Sequence, residues 1–370
     1  MGKIYSKFSI GELKIMKIFE YNPNLGTFSL GFERFSQNEV VEVLNIDKKA
    51  LYSYNYSHKR WFLPNFDNIS SYKLQNDVDL AILKPNIGDK IARRGSSNFK
   101  IQDILDCLTF LEREKPKFSI ILMSSEAIQH LNIAKSYVRD GFNELSKDII
   151  VQKLQKMGYK VYLVALDEAS YGVATHKFLA LYIATPPDFD LKFPAPMFNE
   201  YGRGKYNRFR TISDAISDLG PLNEWSPYEQ TAQNVYQRSL RRSSEDHTTW
   251  HFLPRKLNAS QIATISSIPQ GSKAKKVKTV KPNAGYIRPK WDRICPRLDE
   301  KFYLTSSTAV SIHPIQNRPF TMREGMRIMG IPDNISFELS LSYRDAAHMV
   351  VQSVSPIIGQ AAAMGVQAIQ

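Results

Sequence analysis

The segment from Arg318 to Asp333 constrains the fold of this chain most, because it marks both ends of a short helix. Thr321 is a favourable N-cap residue, and Glu324, three residues later, completes a capping-box pattern. Gly330 and then Pro332 end the helix, since glycine accepts the left-handed C-terminal conformation and proline cannot continue the helix. The segment therefore predicts a helix with fixed boundaries near the end of the chain.

The predicted helix has two distinct faces. Met322, Met326 and Met329 form an apolar face, which we expect to pack in a core. Arg323 and Arg327 are four residues apart, so they lie together on another face.

The composition bounds the class of protein. The chain has 370 residues, enough for one large domain and a smaller one. Its formal net charge of +13 favours a polyanionic partner, above all nucleic acid, although a soluble basic protein without such a partner is the alternative. The absence of a signal peptide and of a long apolar run predicts no membrane association. Two cysteines, Cys107 and Cys295, form no zinc-site pattern, so we expect no metal and a reducing intracellular location, cytoplasmic or nucleoid-associated.

The order of apolar segments predicts an α/β fold. Strand-like and helix-like segments alternate over the first half of the chain, which is typical of a mostly parallel sheet. Residues 187–317 differ, being rich in Arg, Ser, Pro and Asn with few apolar runs. We predict one α/β domain from residues 1–195 and 320–370, and a smaller, irregular domain from residues 196–319.

Several motifs resemble the cytosine-5 DNA methyltransferase family. Residues 318–333 follow, almost position by position, a family pattern that comes after its target-recognition domain. Phe28-Ser29-Leu30-Gly31-Phe32-Glu33, Tyr171-Gly172-Val173 and residues 285–293 are similar to further family motifs in the same order. The resemblance implies a Rossmann-like, S-adenosylmethionine-dependent methyltransferase domain and a target-recognition domain.

The sequence departs from the family at the catalytic positions. The family's nucleophile is the cysteine of a Pro-Cys pair, which adds to the cytosine ring as a thiolate. Pro85-Asn86 stands there in this chain, and an amide cannot do this chemistry. The family's ring-binding glutamate, its glutamine and its two arginines are also replaced. The resemblance places the degenerate positions at Asn86, Leu122, Thr175, Lys177 and Leu179.

The cofactor positions have changed as well. In the family, a glycine-rich loop lets the backbone approach S-adenosylmethionine. Here Asn22, Asn24 and Thr27 replace an aromatic residue and two glycines, and Asn45 replaces the acid that binds the ribose. We expect no cofactor, or S-adenosylmethionine if the protein is an active enzyme. The remnant cofactor positions implied by the resemblance are Glu20, Gly26, Asn45, Ile46, Asp67 and Gln352.

Basic residues predict a surface for double-stranded DNA. A lysine-rich run near residue 277 could neutralise phosphates, and a solvated charged loop is the alternative. Other basic residues stand at positions resembling the DNA-facing surfaces of the family. The expected DNA-binding residues are Arg93, Arg94, Lys273, Lys275, Lys276, Lys278, Lys281, Arg288 and Arg293.

Three functional hypotheses follow. The first is a catalytically degenerate family member that binds duplex DNA, as a specificity or regulatory subunit beside an active methyltransferase or nuclease. The second is an active DNA (cytosine-5-)-methyltransferase with diverged motifs. The third is an interaction or structural protein on the same fold, because a fold alone does not determine an activity.

Overall fold

The structure is a computed structural model, and most of the chain is described by it. The described residues are 15–45, 47–63, 68–86, 101–124, 149–219, 225–228, 230–241, 248–250, 256–274, 285–298, 302, 311–337 and 341–367.

A six-stranded sheet forms the centre of the molecule, in the order β2-β1-β3-β4-β6-β5. Strands β1 to β4 are mutually parallel, whereas β6 runs antiparallel to both of its neighbours. Every residue of β3 is apolar and buried, as expected where a parallel sheet is covered on both faces. The strands are β1 (Lys17–Tyr21), β2 (Glu39–Leu44), β3 (Leu80–Leu83), β4 (Phe118–Ser124), β5 (Lys160–Asp167) and β6 (Phe178–Thr185).

The helices flank this sheet and continue into the second half of the chain. Helices α1 to α4 alternate with the strands, as the sequence pattern predicts. The helices are α1 (Thr27–Ser36), α2 (Lys48–His58), α3 (Ile101–Glu114), α4 (Ile149–Lys156), α5 (Ile212–Ile216), α6 (Val235–Leu240), α7 (Ala259–Ser266), α8 (Met322–Ile328), α9 (Tyr343–Gln352) and α10 (Pro356–Gln367).

In the described part of residues 196–319, each strand is only two or three residues long. These strands pair in three two-stranded ribbons, β7 with β8, β9 with β10 and β11 with β12. The strands are β7 (Phe198–Asn199), β8 (Asn207–Arg208), β9 (Trp225–Pro227), β10 (Thr248–Trp250), β11 (Ser272–Lys273) and β12 (Ile287–Arg288).

The last helix, α10, returns to the sheet and packs closely on α1. A Cβ atom on Gly359 would lie 1.9 Å from the carbonyl oxygen of Phe28, and one on Gly31 would lie 2.3 Å from that of Pro356. Only glycine lets the two helices approach so closely. The C-terminal residues therefore pack with the sheet, while the exact division into two domains stays a prediction.

The helix predicted from residues 318–333 is present as α8. Thr321 accepts from the Glu324 backbone N–H at 3.1 Å, and the Glu324 carboxylate accepts from the Thr321 N–H at 2.8 Å, so the capping box is confirmed. Gly330 has the expected positive φ of 73°. Every residue of α8 is buried, so Arg323 and Arg327 lie on no exposed face. Both arginines instead lie near the buried carboxylate of Asp333.

One apolar segment, Tyr343–Gln367, is long and apolar enough to cross a membrane. Such a segment was not predicted from the sequence. It comprises α9 and α10, which are separated by the non-helical residues 353–355. Of its most apolar window, 72% is buried inside the protein. This burial is typical of core helices, and the segment contributes to the core in that way.

Candidate functional site

A polar pocket lies at the carboxyl ends of the parallel strands. Asn22, Asn45 and Lys84 directly follow β1, β2 and β3, and Ser124 ends β4. In open α/β sheets this edge is where ligands bind. The pocket has a volume of about 130 Å³. Its lining residues are Asn22, Asn24, Asn45, Asp47, Ala50, Lys84, Pro85, Asn86, Leu122, Ser124, His348, Met349 and Gln352.

The loop after β1 is tied to the junction between α9 and α10. Asn24 and Gly26 both have left-handed backbone conformations, with φ of 61° and 65°. The Asn24 side chain donates to the carbonyl oxygen of Met349 at 3.1 Å, and the Thr27 hydroxyl donates to that of Val354 at 2.6 Å. The side chains that replace the family's glycines therefore close this loop against the protein itself.

Asn45 stands where the resemblance implies a ribose-binding acid. Its side chain is buried, and its Oδ1 accepts from the Asp47 backbone N–H at 3.0 Å. Its Nδ2 has no hydrogen-bond partner among the described residues. The position therefore holds a buried donor beside the pocket, where a carboxylate would hold only acceptors. Two further predicted cofactor positions, Ile46 and Asp67, lie outside the described residues.

The pocket is small for the cofactor that the family uses. The ammonium group of Lys84 donates to the carbonyl oxygen of Gln352 at 2.8 Å, and both residues line the pocket. A volume of about 130 Å³ lies below the roughly 300 Å³ at which small-molecule sites begin. The pocket that the described residues enclose is therefore smaller than an ordinary site for a molecule of this size.

Glu20 does not line the pocket, contrary to its predicted role. It is buried in the core, where the Tyr54 hydroxyl donates to its carboxylate at 3.1 Å. Burial raises the pKa of Glu20 to about 7. Gly26 also acts structurally, because a Cβ there would lie 2.2 Å from the Tyr54 ring.

Asn86 follows β3 and lines the pocket, and the resemblance assigns it to the position of the family's nucleophile. Its backbone N–H donates to the carboxylate of Asp103, which fixes the backbone there. Cys107 and Cys295 are both fully buried, and burial raises the pKa of each thiol. Neither cysteine therefore offers the exposed thiolate that nucleophilic chemistry requires.

Two other catalytic positions carry polar side chains that bond to the protein. The Thr175 hydroxyl donates to the carbonyl oxygen of Cys295 at 3.2 Å. The ammonium group of Lys177 donates to the carbonyl oxygens of Val351 at 2.8 Å and Ser353 at 2.5 Å, at the end of α9. These two side chains hold segments of the chain together.

The remaining catalytic positions carry buried leucines. Leu122 on β4 lines the pocket, and Leu179 begins the buried part of β6. A leucine cannot donate a proton or bind a cytosine edge. The positions that the resemblance assigns to catalysis thus share the edge of the sheet and carry none of the side chains that the family uses there.

The structure corrects one of the predicted DNA-binding residues, Arg288. Its guanidinium group is buried and donates to the carbonyl oxygens of Ile265 at 2.7 Å and His313 at 3.0 Å, and to the Asn317 side chain at 2.8 Å. This arginine holds β12 against neighbouring segments and is not available to a phosphate.

The other predicted DNA-binding residues divide into two groups. Lys273 is exposed at the end of β11, and Arg293 is exposed beside a second cavity. Six more lie outside the described residues, namely Arg93, Arg94, Lys275, Lys276, Lys278 and Lys281.

The second cavity has a volume of about 210 Å³ and was not anticipated from the sequence. It lies beside the turn between β5 and β6, and residues from the second half of the chain complete it. Spacing along the chain gives no signal that these residues meet. The lining residues are His176, Glu200, Arg208, Phe209, Arg293 and Ile294.

The mixed, mostly parallel sheet, with a polar pocket at the carboxyl ends of its strands, defines the α/β methyltransferase fold. A prophage-encoded E. coli protein described as a DNA modification methyltransferase superposes with a TM-score of 0.70 at 16% identity, covering 95% of this chain and 98% of that one. The S. pombe Dnmt2 methyltransferase superposes with a TM-score of 0.55 at 14% identity, covering 96% and 99%. The predicted fold class is confirmed.

Sequence comparison gives the family. The C-5 cytosine-specific DNA methylase profile matches residues 132–367, more than half of the chain. The chain therefore belongs to the C-5 cytosine-specific DNA methylase family. It is 23% identical to type II methyltransferase M.DdeI of Desulfomicrobium norvegicum, covering 94% of this chain and 88% of that protein. It is 22% identical to type II methyltransferase M1.HphI of Haemophilus parahaemolyticus, covering 92% and 84%.

Proposed function

We propose that this family member binds duplex DNA inside the cell and does not methylate cytosine by the family's cysteine mechanism. The observation that carries the proposal is Asn86, which lines the pocket and stands where the resemblance implies the nucleophile. Addition to a cytosine ring needs a thiolate, and both cysteines of the chain are fully buried.

The proposal extends to the cofactor. The pocket volume of about 130 Å³ and the bond from Lys84 to Gln352 both oppose binding of a whole S-adenosylmethionine. We expect calorimetry with S-adenosylmethionine to give no binding in the micromolar range. Micromolar binding would contradict this part of the proposal.

DNA binding rests on family membership and on charge. The chain carries 49 Lys and Arg against 36 Asp and Glu, and phosphate neutralisation dominates the affinity of proteins for DNA. We propose that Lys273, Arg293 and the lysine run between them contact the duplex. A non-catalytic DNA binder of this kind would act beside an active methyltransferase or a nuclease.

Fluorescence anisotropy of a labelled mixed-sequence duplex at physiological salt tests the binding. We expect saturable binding whose affinity falls steeply with salt, since each neutralised phosphate contributes about 0.9 to the slope. Replacing Lys273, Lys275, Lys276, Lys278 and Lys281 by alanine should flatten that slope by several units. No binding by the wild type would favour a protein-interaction role instead.

An active methyltransferase is the second candidate, and the comparisons favour it. The relatives named above are methyltransferases, and the likeness spans nearly the whole chain. This candidate requires a nucleophile other than residue 86 and a pocket that opens to admit the cofactor. It predicts that label passes from S-adenosylmethionine to DNA and that the transfer is lost in Cys295→Ser or Cys107→Ser.

A further inference from the structure

Three basic side chains converge on the 210 Å³ cavity from different parts of the chain. His176 lies in the turn before β6, Arg208 ends β8, and Arg293 lies in the turn after Trp291. Both arginines are exposed to solvent. The cavity therefore carries concentrated positive charge at a surface that solutes can reach.

The imidazole of His176 is held in a fixed orientation. Its Nδ1 lies 2.6 Å from the Asp167 carboxylate, and the ring packs edge-on against Phe209 with centroids 5.3 Å apart. The bond to Asp167 orients the ring through Nδ1, so Nε2 is the ring nitrogen that takes no part in this bond. That same bond raises the pKa of His176, which favours the doubly protonated, cationic ring.

The arginines keep most of their donors for a ligand. Arg208 donates one N–H group to the carbonyl oxygen of Asp292 at 3.3 Å. The Arg293 side chain has no ion pair in the part of the chain that the structure describes. Glu200 is the one carboxylate in the cavity lining, and no ion pair within 4.0 Å joins it to either arginine. The lining therefore holds three basic groups against one acidic group. Because Asp167 pairs with His176, the two arginines supply the excess positive charge of the cavity.

We propose that this cavity binds a phosphate group of nucleic acid through His176, Arg208 and Arg293. Guanidinium groups bind phosphate oxygens through paired N–H donors, and a cationic imidazole adds a further donor. The inference rests on the proposed DNA binding and deepens it by naming a phosphate site. The phosphate could belong to a duplex backbone or to a free nucleotide, and the experiment separates the two sources.

The first arm measures duplex binding against salt for the double variant Arg208→Gln/Arg293→Gln. Loss of one phosphate contact should reduce the slope of log affinity against log salt by about 0.9. The control Arg238→Gln/Arg344→Gln removes the same charge from two exposed arginines outside the cavity and should keep the wild-type slope. Equal slopes in the wild type and the cavity variant would overturn the site while leaving DNA binding intact.

The second arm removes a negative charge from the cavity instead of positive charges. Glu200→Gln removes the carboxylate from the cavity lining and leaves its basic groups in place. Duplex affinity should therefore rise. An unchanged or weaker affinity would overturn the proposed site.

The third arm uses pH. The charged groups facing His176 are Asp167, Glu200, Arg208 and Arg293. Because the pKa of His176 is raised, wild-type affinity should fall as pH rises through that pKa, and His176→Gln should lose this dependence. A pH dependence that persists in His176→Gln would overturn the role of the histidine.

The fourth arm separates the phosphate sources by NMR of the His176 ring protons, which are assigned by their loss in His176→Gln. A shift on adding duplex, but not deoxycytidine monophosphate, supports a backbone phosphate. A shift with the mononucleotide alone would overturn the duplex-backbone assignment. If inorganic phosphate shifts the ring protons while no duplex binds, the site stands and the proposed function fails. If inorganic phosphate does not shift the ring protons and no duplex binds, both the phosphate site and the proposed function fail.

Discussion

Replacing Arg327 by methionine removes the centre of a buried ion network. The guanidinium of Arg327 donates two parallel bonds to Asp333, at 2.7 and 2.6 Å, and a third to Asp218 at 3.3 Å. All three side chains are essentially inaccessible to solvent. Because Asp218 lies just after α5 and Asp333 just after α8, Arg327 joins two segments that are far apart in sequence.

The expected loss follows from what remains after the substitution. Removing one partner of a buried ion pair typically destabilises a protein by about 3–5 kcal/mol, because the other charge stays buried. Here Asp333 would keep a bond from the Tyr228 hydroxyl at 2.6 Å, and Asp218 would keep its pair with Arg241 at 2.8 Å. We therefore expect Arg327→Met to lower the free energy of unfolding by about 3 kcal/mol, at the lower end of this range.

Urea unfolding followed by circular dichroism measures this difference. Lys49→Met is the matched control, because Lys49 also forms a 2.6 Å pair with a carboxylate, Asp345, but its side chain is 59% exposed. Exposed pairs contribute little to stability, so the control should unfold almost as the wild type does. Equal losses in the two variants would refute the reasoning from burial.

Four further outcomes are expected. Gly359→Ala should destabilise the protein by about 1–3 kcal/mol, because its Cβ would lie 1.9 Å from the Phe28 carbonyl oxygen. Gly365→Ala should be milder, since the nearest atom belongs to a side chain 3.2 Å away. Burial alone would raise the pKa of Glu324, but the neighbouring cations lower this pKa to about 2. The carboxylate therefore contributes about 3 kcal/mol to the free energy of unfolding above pH 4.5, and this contribution is lost as pH falls towards 2. Asn86→Cys should not restore methyl transfer, because Leu122 stands where the resemblance places the ring-binding glutamate and the described pocket is small for the cofactor.

These outcomes are checked by urea unfolding for the glycine variants, by unfolding as a function of pH for wild type and Glu324→Gln, and by label transfer for Asn86→Cys. A Gly359→Ala protein as stable as Gly365→Ala would contradict the packing of α10 on α1. A Glu324→Gln protein that loses stability at low pH as steeply as the wild type would contradict the assignment to Glu324. Methyl transfer by Asn86→Cys would show that the pocket admits the cofactor.

Local structure was predictable from the sequence where the determining residues are neighbours. The capping box of Thr321 and Glu324 needs only residues three apart, and it is present as predicted. The burial of Arg327 was not predictable, because its partner Asp218 is 109 residues away and only the folded chain brings the two together. An i,i+4 arginine pair read in isolation is typical of an exposed face.

The candidate site shows the same limit. The motif order indicated that position 86 carries asparagine where the family has its nucleophile, and the structure places that residue at the pocket. Arg288 was predicted to contact DNA because it is basic and lies in a family motif, but carbonyl groups from distant segments enclose it. His176, between Thr175 and Lys177, was not predicted as a site residue, because only tertiary packing brings it to the same cavity as Arg208.

The most direct test of the central claim is methyl transfer by the wild-type protein. The protein is incubated with labelled S-adenosylmethionine and a mixed-sequence duplex, beside a family member that carries the Pro-Cys nucleophile as the positive control. Because Asn86 supplies no thiolate and both cysteines are buried, we predict no label in DNA above the protein-free background. Label above that background would contradict the account, and its loss in Cys295→Ser would identify a different nucleophile.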